Sequence, residues 1–175
     1  MKLLKFNVFV LLAMLLGGCT GTPDKVTPVG SFELNRYLGT WYEIARLDHS
    51  FERGLNQISA TYSLNDDGSV KVINRGWNEE AQQWQEAEGK AKFVESPDIA
   101  HLKVSFFGPF YGSYVVFDLK DDYSLALVSG YNTDYLWLLS RTPTIADSEL
   151  QAVIKKAQAA GFDTSKLIFP LQKAK

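Results

Sequence analysis

One thiol, two imidazoles and a scatter of carboxylates are the groups from which this chain could build chemistry, and their placement argues against a reaction centre. The only cysteine is Cys19, so neither an intrachain disulfide nor a cysteine metal cluster can form. The histidines, His49 and His101, sit in no recognisable nucleophile context. The sequence contains no Gly-x-Ser-x-Gly elbow and no His-Glu-x-x-His zinc motif. Glu43 and Asp134 stand as isolated carboxylates suited to hydrogen bonding at a strand and a turn. The expectation is no catalytic residue, no metal and no cofactor.

Cys19 has a different use. Lys2 and Lys5 precede an unbroken apolar run, Val8–Leu16, and Gly17-Gly18 lead into the cysteine. A positive start, a short apolar run and small residues at the cut describe a secretory signal peptide over residues 1–18. The run is shorter than the ~20 apolar residues that span a bilayer. Leu16-Gly17-Gly18-Cys19 resembles the lipobox at which bacterial lipoproteins are cleaved and acylated. That resemblance implies a mature chain starting at Cys19, with N-acyl and S-diacylglycerol groups. Two or more acyl chains hold stably where one does not. Thr20, instead of the Asp that retains such proteins in the inner membrane, points to the outer membrane with the domain facing the periplasm. Residues 19–30, with Pro23, Pro28 and two glycines, read as the acylated end and a flexible tether.

The elements after the tether are short and evenly spaced. Runs at Trp41–Leu47, Asn56–Leu64, Val70–Trp77, Trp84–Phe93, His101–Phe107, Gly112–Leu119, Tyr123–Ser129 and Tyr135–Arg141 read as eight strands, separated by Gly, Pro, Asn and Asp turn chemistry. Short connections favour an up-and-down meander, and eight strands can close around one small ligand. Leu150, Val153, Ile154 and Ala157 mark one helix face that should pack outside the barrel. Thr144 with Asp147 reads as its capping box, Gly161 as its stop, and Leu167–Phe169 as a short closing strand. The net charge of −2, with both signs interspersed, provides no basic stripe for nucleic acid. Apolar residues make up 46% of the chain and aromatic residues 13%, enough to build a core with a large share of aromatic surface.

Three segments resemble the lipocalin signature. Leu38–Arg46 carries Gly39-x-Trp41, Asn132–Tyr135 carries Thr133-Asp134-Tyr135, and Arg141 follows the strand Leu136–Ser140 where the third block has its arginine. The resemblance runs from Phe32 to Phe169 and is nearest to the bacterial lipocalins and, among animal relatives, apolipoprotein D. Gly39–Arg46 and Ser105–Tyr114 look especially bacterial. The family likeness implies that residues 31–175 form an all-β, eight-stranded up-and-down antiparallel barrel with one C-terminal α-helix outside. It implies binding, storage or transport of single-chain lipids, fatty acids or lysophospholipids, at the outer membrane, and allows a homodimer. The alternatives are a lipid-modifying enzyme, or a structural envelope protein without a ligand.

Strand parity sorts the side chains. With Trp41 inward, Glu43 and Ala45 follow; with Arg141 meeting Trp41 from inside, Leu139, Trp137 and Tyr135 point in while Leu136 and Leu138 face the helix. A guanidinium over an indole contributes about 0.5–2 kcal/mol, so Trp41 and Arg141 are expected to seal one end rather than touch ligand. The likeness to apolipoprotein D puts Tyr62 and Trp137 on the pocket wall and Asn74 at a polar position. The aromatic hairpin around Gly108-Pro109 adds Phe106 and Tyr114. Its apolar tip, Phe106–Tyr111, could be covered by a membrane, a second subunit or its own barrel.

Overall fold

A computed structural model describes residues 20–173; the expected signal peptide and Cys19 lie outside the described residues. A short helix, α1 (Leu34–Tyr37), leads into eight strands: β1 (Gly39–Arg46), β2 (Leu55–Leu64), β3 (Val70–Asn78), β4 (Gln83–Phe93), β5 (His101–Phe107), β6 (Phe110–Leu119), β7 (Leu125–Ser129) and β8 (Leu136–Ser140). Each strand pairs antiparallel with its successor, and β8 pairs with β1, closing the barrel. Closure leaves no strand edge unpaired, which removes the usual template for aggregation. A second helix, α2 (Asp147–Ala159), follows β8, and a single 3-10 turn spans Thr164–Lys166. Among the described residues no helix is long and apolar enough to cross a membrane.

The strand ends differ from the sequence expectation by one or two residues. Phe107 pairs with Phe110, which starts β6 two residues before Gly112. Tyr123 takes a positive φ of 58° in the turn, so β7 begins only at Leu125. Two apolar layers result. One fills the closed end and lines the barrel, around Trp41, Tyr62, Val72 and Val128. The other lies outside, where Leu127, Leu136 and Leu138 meet Val153 and Ala157 of α2 and Phe162 beyond it.

Helix α2 starts without the expected box. Its N-cap is Ala146 and no side chain caps it, because the helix begins at Asp147 and leaves Thr144 two residues before the capping position. Its end follows expectation. Gly161, at φ +95°, donates to Gln158 O, and Phe162 donates to Ala157 O, the two bonds of a left-handed glycine cap.

Both flanking segments lie against the wall. Residues 20–30, expected as a flexible tether, instead form a docked strap: Val29 N–H donates to Val116 O, Ala100 N–H donates to Val29 O, and Ser113 Oγ donates to Gly21 O at 2.6 Å. Pro23 and Val26 are buried there. The Pro23 carbonyl accepts a turn hydrogen bond from Val26 N–H at 2.9 Å. The expected closing strand at Leu167–Phe169 reduces to one bridge, Arg46 with Ile168. Beyond it, Gln172 Nε2 donates to Glu43 O and Ile58 O.

Candidate functional site

Inside the barrel is a cavity of about 600 Å³. Its walls come mainly from β2 to β6 and β8, among them Val70, Val72, Leu102 and Leu139, with Glu43 of β1 and Glu52 of the loop after it. All five residues expected at a binding site, Tyr62, Asn74, Phe106, Tyr114 and Trp137, line it. Tyr135, expected only as a signature residue, lines it as well. At the inner end Tyr114 Oη lies 2.7 Å from Tyr37 Oη and 2.8 Å from Tyr62 Oη. Burial pushes all three phenols above their ordinary pKa, so they stay neutral and serve as a small hydrogen-bonding patch in an apolar floor. At the outer end Phe51, Phe107, Phe110 and Tyr131 rim the mouth.

Below the floor the signature residues act together. Trp41 is fully buried, and the Arg141 guanidinium lies 4.0 Å from its ring centroid. Arg141 also donates to Arg36 O (2.7 Å), Tyr37 O (3.0 Å) and Thr40 O (3.0 Å), and Trp41 Nε1 donates to Tyr37 O (2.8 Å). One guanidinium thus fastens α1 and β1 to the end of β8. Gly39, at φ +95°, adopts the backbone that lets the chain turn from α1 into β1 beside that guanidinium. Neither Trp41 nor Arg141 lines the cavity. At the other end Asn132 and Asp134 bond one another across Thr133 and shape the turn that presents Tyr135.

The parity expected for β1 fails midway. Its register with β8 shifts between Glu43 and Ala45: Glu43 stands opposite Leu139, Ala45 opposite Leu138 and Arg46 opposite Trp137. The bulge reverses the alternation. Ala45 therefore joins the outer layer beneath α2, and Arg46 turns inward in its place.

A buried ionic cluster results, and Glu43 is not isolated. Arg46 Nη1 donates to Glu43 Oε1 at 2.7 Å and Nη2 to the Glu52 carbonyl at 3.0 Å. Trp137 Nε1 donates to Glu52 Oε2 at 3.1 Å. His49 Nε2 lies 3.0 Å from that same oxygen, an ion-pair distance with the ring off the hydrogen-bond line. Burial, then the charge of Glu52, raises the Glu43 pKa well above its ordinary value. Burial also pushes Glu52 upward, but His49, Trp137 and a hydrogen bond shared with Glu43 outweigh it and leave its carboxyl below the ordinary value. The two shifts run in opposite directions, so a proton held by the pair is favoured on Glu43 over Glu52. Sequence reading missed Arg46 because residues three apart in a regular strand lie on opposite faces and only the bulge makes Glu43 and Arg46 neighbours; His49 and Glu52 lie in the irregular connection after β1, where alternation gives no direction. Among the described residues no group of three His, Cys, Asp or Glu side chains could hold a metal ion.

A family model described as the lipocalin-like domain matches residues 32–172. The chain is 58% identical over 164 residues to the outer membrane lipoprotein Blc of Vibrio cholerae, covering 93% of this chain and 96% of that protein. To the outer membrane lipoprotein Blc of Escherichia coli it is 53% identical over 174 residues, 98% of each chain. Among solved structures it resembles insecticyanin from the tobacco hornworm, with a TM-score of 0.68 over 87% of each chain; at 21% identity this shows a common fold.

Proposed function

Because the chain belongs to the lipocalin family, we propose that it takes up one single-chain amphiphile, a fatty acid or a lysophospholipid, tail first through the aromatic mouth. It is a lipid-binding protein of the outer membrane, like the lipoproteins to which it is more than half identical. The finer reading, one acyl chain inside and one head near the mouth, is carried by a single observation. The barrel interior is hollow, apolar and open at one end, with a cavity of about 600 Å³.

That volume falls within the ~300–1,000 Å³ of ordinary ligand pockets. Burying a sixteen-carbon chain supplies at most about 13 kcal/mol at about 0.8 kcal/mol per methylene. Association and ordering remove several of these, which leaves affinity at about the micromolar level or better. A second acyl chain would need room that an eight-stranded barrel does not offer. Attachment through acyl groups on Cys19 would keep the carrier at its source of ligand.

The test is titration of tryptophan fluorescence with a lysophospholipid. Saturable quenching is expected, with a dissociation constant raised about tenfold in Trp137→Ala, whose indole lines the wall. A linear, non-saturating response to fatty acid and lysophospholipid alike would overturn the reading. Mass spectrometry of the released lipid separates carriage from turnover: a carrier returns it intact.

A further inference from the structure

The three phenols on the cavity floor hold one proton more than they can use. Tyr114 Oη lies 2.7 Å from Tyr37 Oη and 2.8 Å from Tyr62 Oη, and among the described residues the three hydroxyls make no other hydrogen bond. Each phenol brings one O–H donor, and each of the two contacts spends one. The third proton has no acceptor, whichever way the two bonds run. All three residues line the cavity, while Tyr37 and Tyr62 are only 3% and 6% exposed. A buried donor left unpaired costs free energy that an acceptor inside the cavity would recover.

The surroundings indicate what kind of acceptor fits. Burial raises the Tyr37 and Tyr62 pKa, and the Arg141 guanidinium beneath the floor pulls the other way, a positive field that favours an electron-rich atom above it. A carboxylate is ill suited. It would surrender its hydration, and the charge of Glu52 also reaches Tyr62. A neutral oxygen, in a hydroxyl or a ketone, meets the donor with no charge to bury. The residues paired with the phenols across the sheet are apolar, Val72 opposite Tyr62 and Leu102 opposite Tyr114. An oxygen that stops short of the phenols therefore meets hydrocarbon.

We propose that the floor is a second polar subsite, where the spare phenol proton binds a neutral oxygen at or next to the far end of the ligand's acyl chain. The proposal rests on the carrier reading, in which the head stays near the mouth and the tail points inward. It narrows the ligand class: among single-chain lipids the barrel favours those whose tail is oxygenated at its end. Oxygen in mid-chain is penalised.

The experiment extends the fluorescence titration to matched lysophospholipids with acyl chains of twelve to eighteen carbons. Each chain is used plain, with a hydroxyl on its last carbon, and with a hydroxyl on its middle carbon. The mid-chain hydroxyl, entering hydrocarbon without a partner, is expected to weaken binding about tenfold. The terminal hydroxyl, at the length that reaches the floor, should bind as tightly as the plain chain or tighter. Tyr37→Phe, Tyr62→Phe and Tyr114→Phe combined keep the rings, and keep the Tyr37 carbonyl that holds Trp41 and Arg141. In that variant the plain chain should bind as before and the terminal hydroxyl about tenfold more weakly, the loss of one buried hydrogen bond. Infrared spectra of the parent protein need no variant. A ketone on the penultimate carbon should absorb at lower wavenumber when bound than in hydrocarbon. A terminal hydroxyl that binds no better than the mid-chain one at any length would overturn the subsite. So would a preference that survives in the phenylalanine variant, or a bound ketone that absorbs as it does in hydrocarbon. A plain lysophospholipid that never saturates would overturn the carrier reading itself, a result distinct from saturable binding without regard to oxygen.

Discussion

Glu43 and Glu52 bring two carboxyls against one guanidinium, Arg46, in a wall from which water is excluded. Two buried negative charges and one positive would cost several kcal/mol, so one carboxyl stays protonated. The Glu43 pKa is raised from its ordinary value of 4.5, so above that pH the folded protein binds more protons than the unfolded chain. The stability Glu43 contributes is therefore complete below about 4.5 and is lost as pH rises through its folded pKa. Glu43→Gln keeps the shape and the neutral state but has no proton to lose. Its melting temperature should match the parent near pH 4.5 and exceed it at pH 8, because only the parent gives up a proton there as the pH rises. Melting curves across that range decide it; a variant that falls behind the parent as pH rises would show that Glu43 is needed as a charge. The other site residues were legible to different degrees. Trp137 stands on an alternating position of β8, and Tyr62 lies in the regular part of β2 beyond its irregularity at Asn56–Ser59; both line the cavity. Arg46 was hidden because a single extra residue in β1 exchanges its face with that of Ala45.

Strands are where the sequence is most readable here, because period-two runs and Asn, Asp, Gly and Pro turns both have local physical causes. The features that escaped it depend on distant partners. The strap carries no periodicity, and its burial of Val26 rests on Leu47, Val115 and α2, which are distant in sequence. The four-residue helix α1 is shorter than the hydrophobic period needs to register, and is held by Arg141 from the far end of β8. Gly89 shows how one strand shapes the cavity through another. A Cβ there would lie 2.8 Å from the Phe106 ring of β5 and 3.0 Å from the Ser105 carbonyl, so β4 owes the ring its place to a bare backbone position. Gly89→Ala should displace Phe106 and weaken lysophospholipid binding about three- to tenfold while far-ultraviolet circular dichroism stays that of the barrel. Unchanged affinity in the fluorescence titration would mean that the Phe106 ring is not part of the wall the ligand uses.

Taken whole, the molecule separates two functions that a simpler carrier would mix: a hollow barrel that binds and a strap that leads to the anchor. The strap's contacts, Gly21 with Ser113 and Val29 with Val116 and Ala100, are made by residues 20–30 and owe nothing to the acyl groups. Neither do the clamp at Arg141 and the closure of β1 on β8. Removing the anchor should therefore release a folded, competent barrel. Cys19→Ser, exported behind an ordinary cleavable signal peptide, is expected in the soluble periplasmic fraction. It should melt where the acylated protein melts. A lysophospholipid at 100 times its dissociation constant adds about 2.7 kcal/mol to a state that alone binds it, which for this size of domain raises the melting temperature by roughly 5–10 °C. Fractionation and melting together separate the two halves of the argument. Retention of the serine variant in carbonate-washed membranes would remove Cys19 as the anchor. A soluble variant whose melting is indifferent to lipid would mean that the barrel needs the membrane to bind, and that the cavity alone is not the carrier.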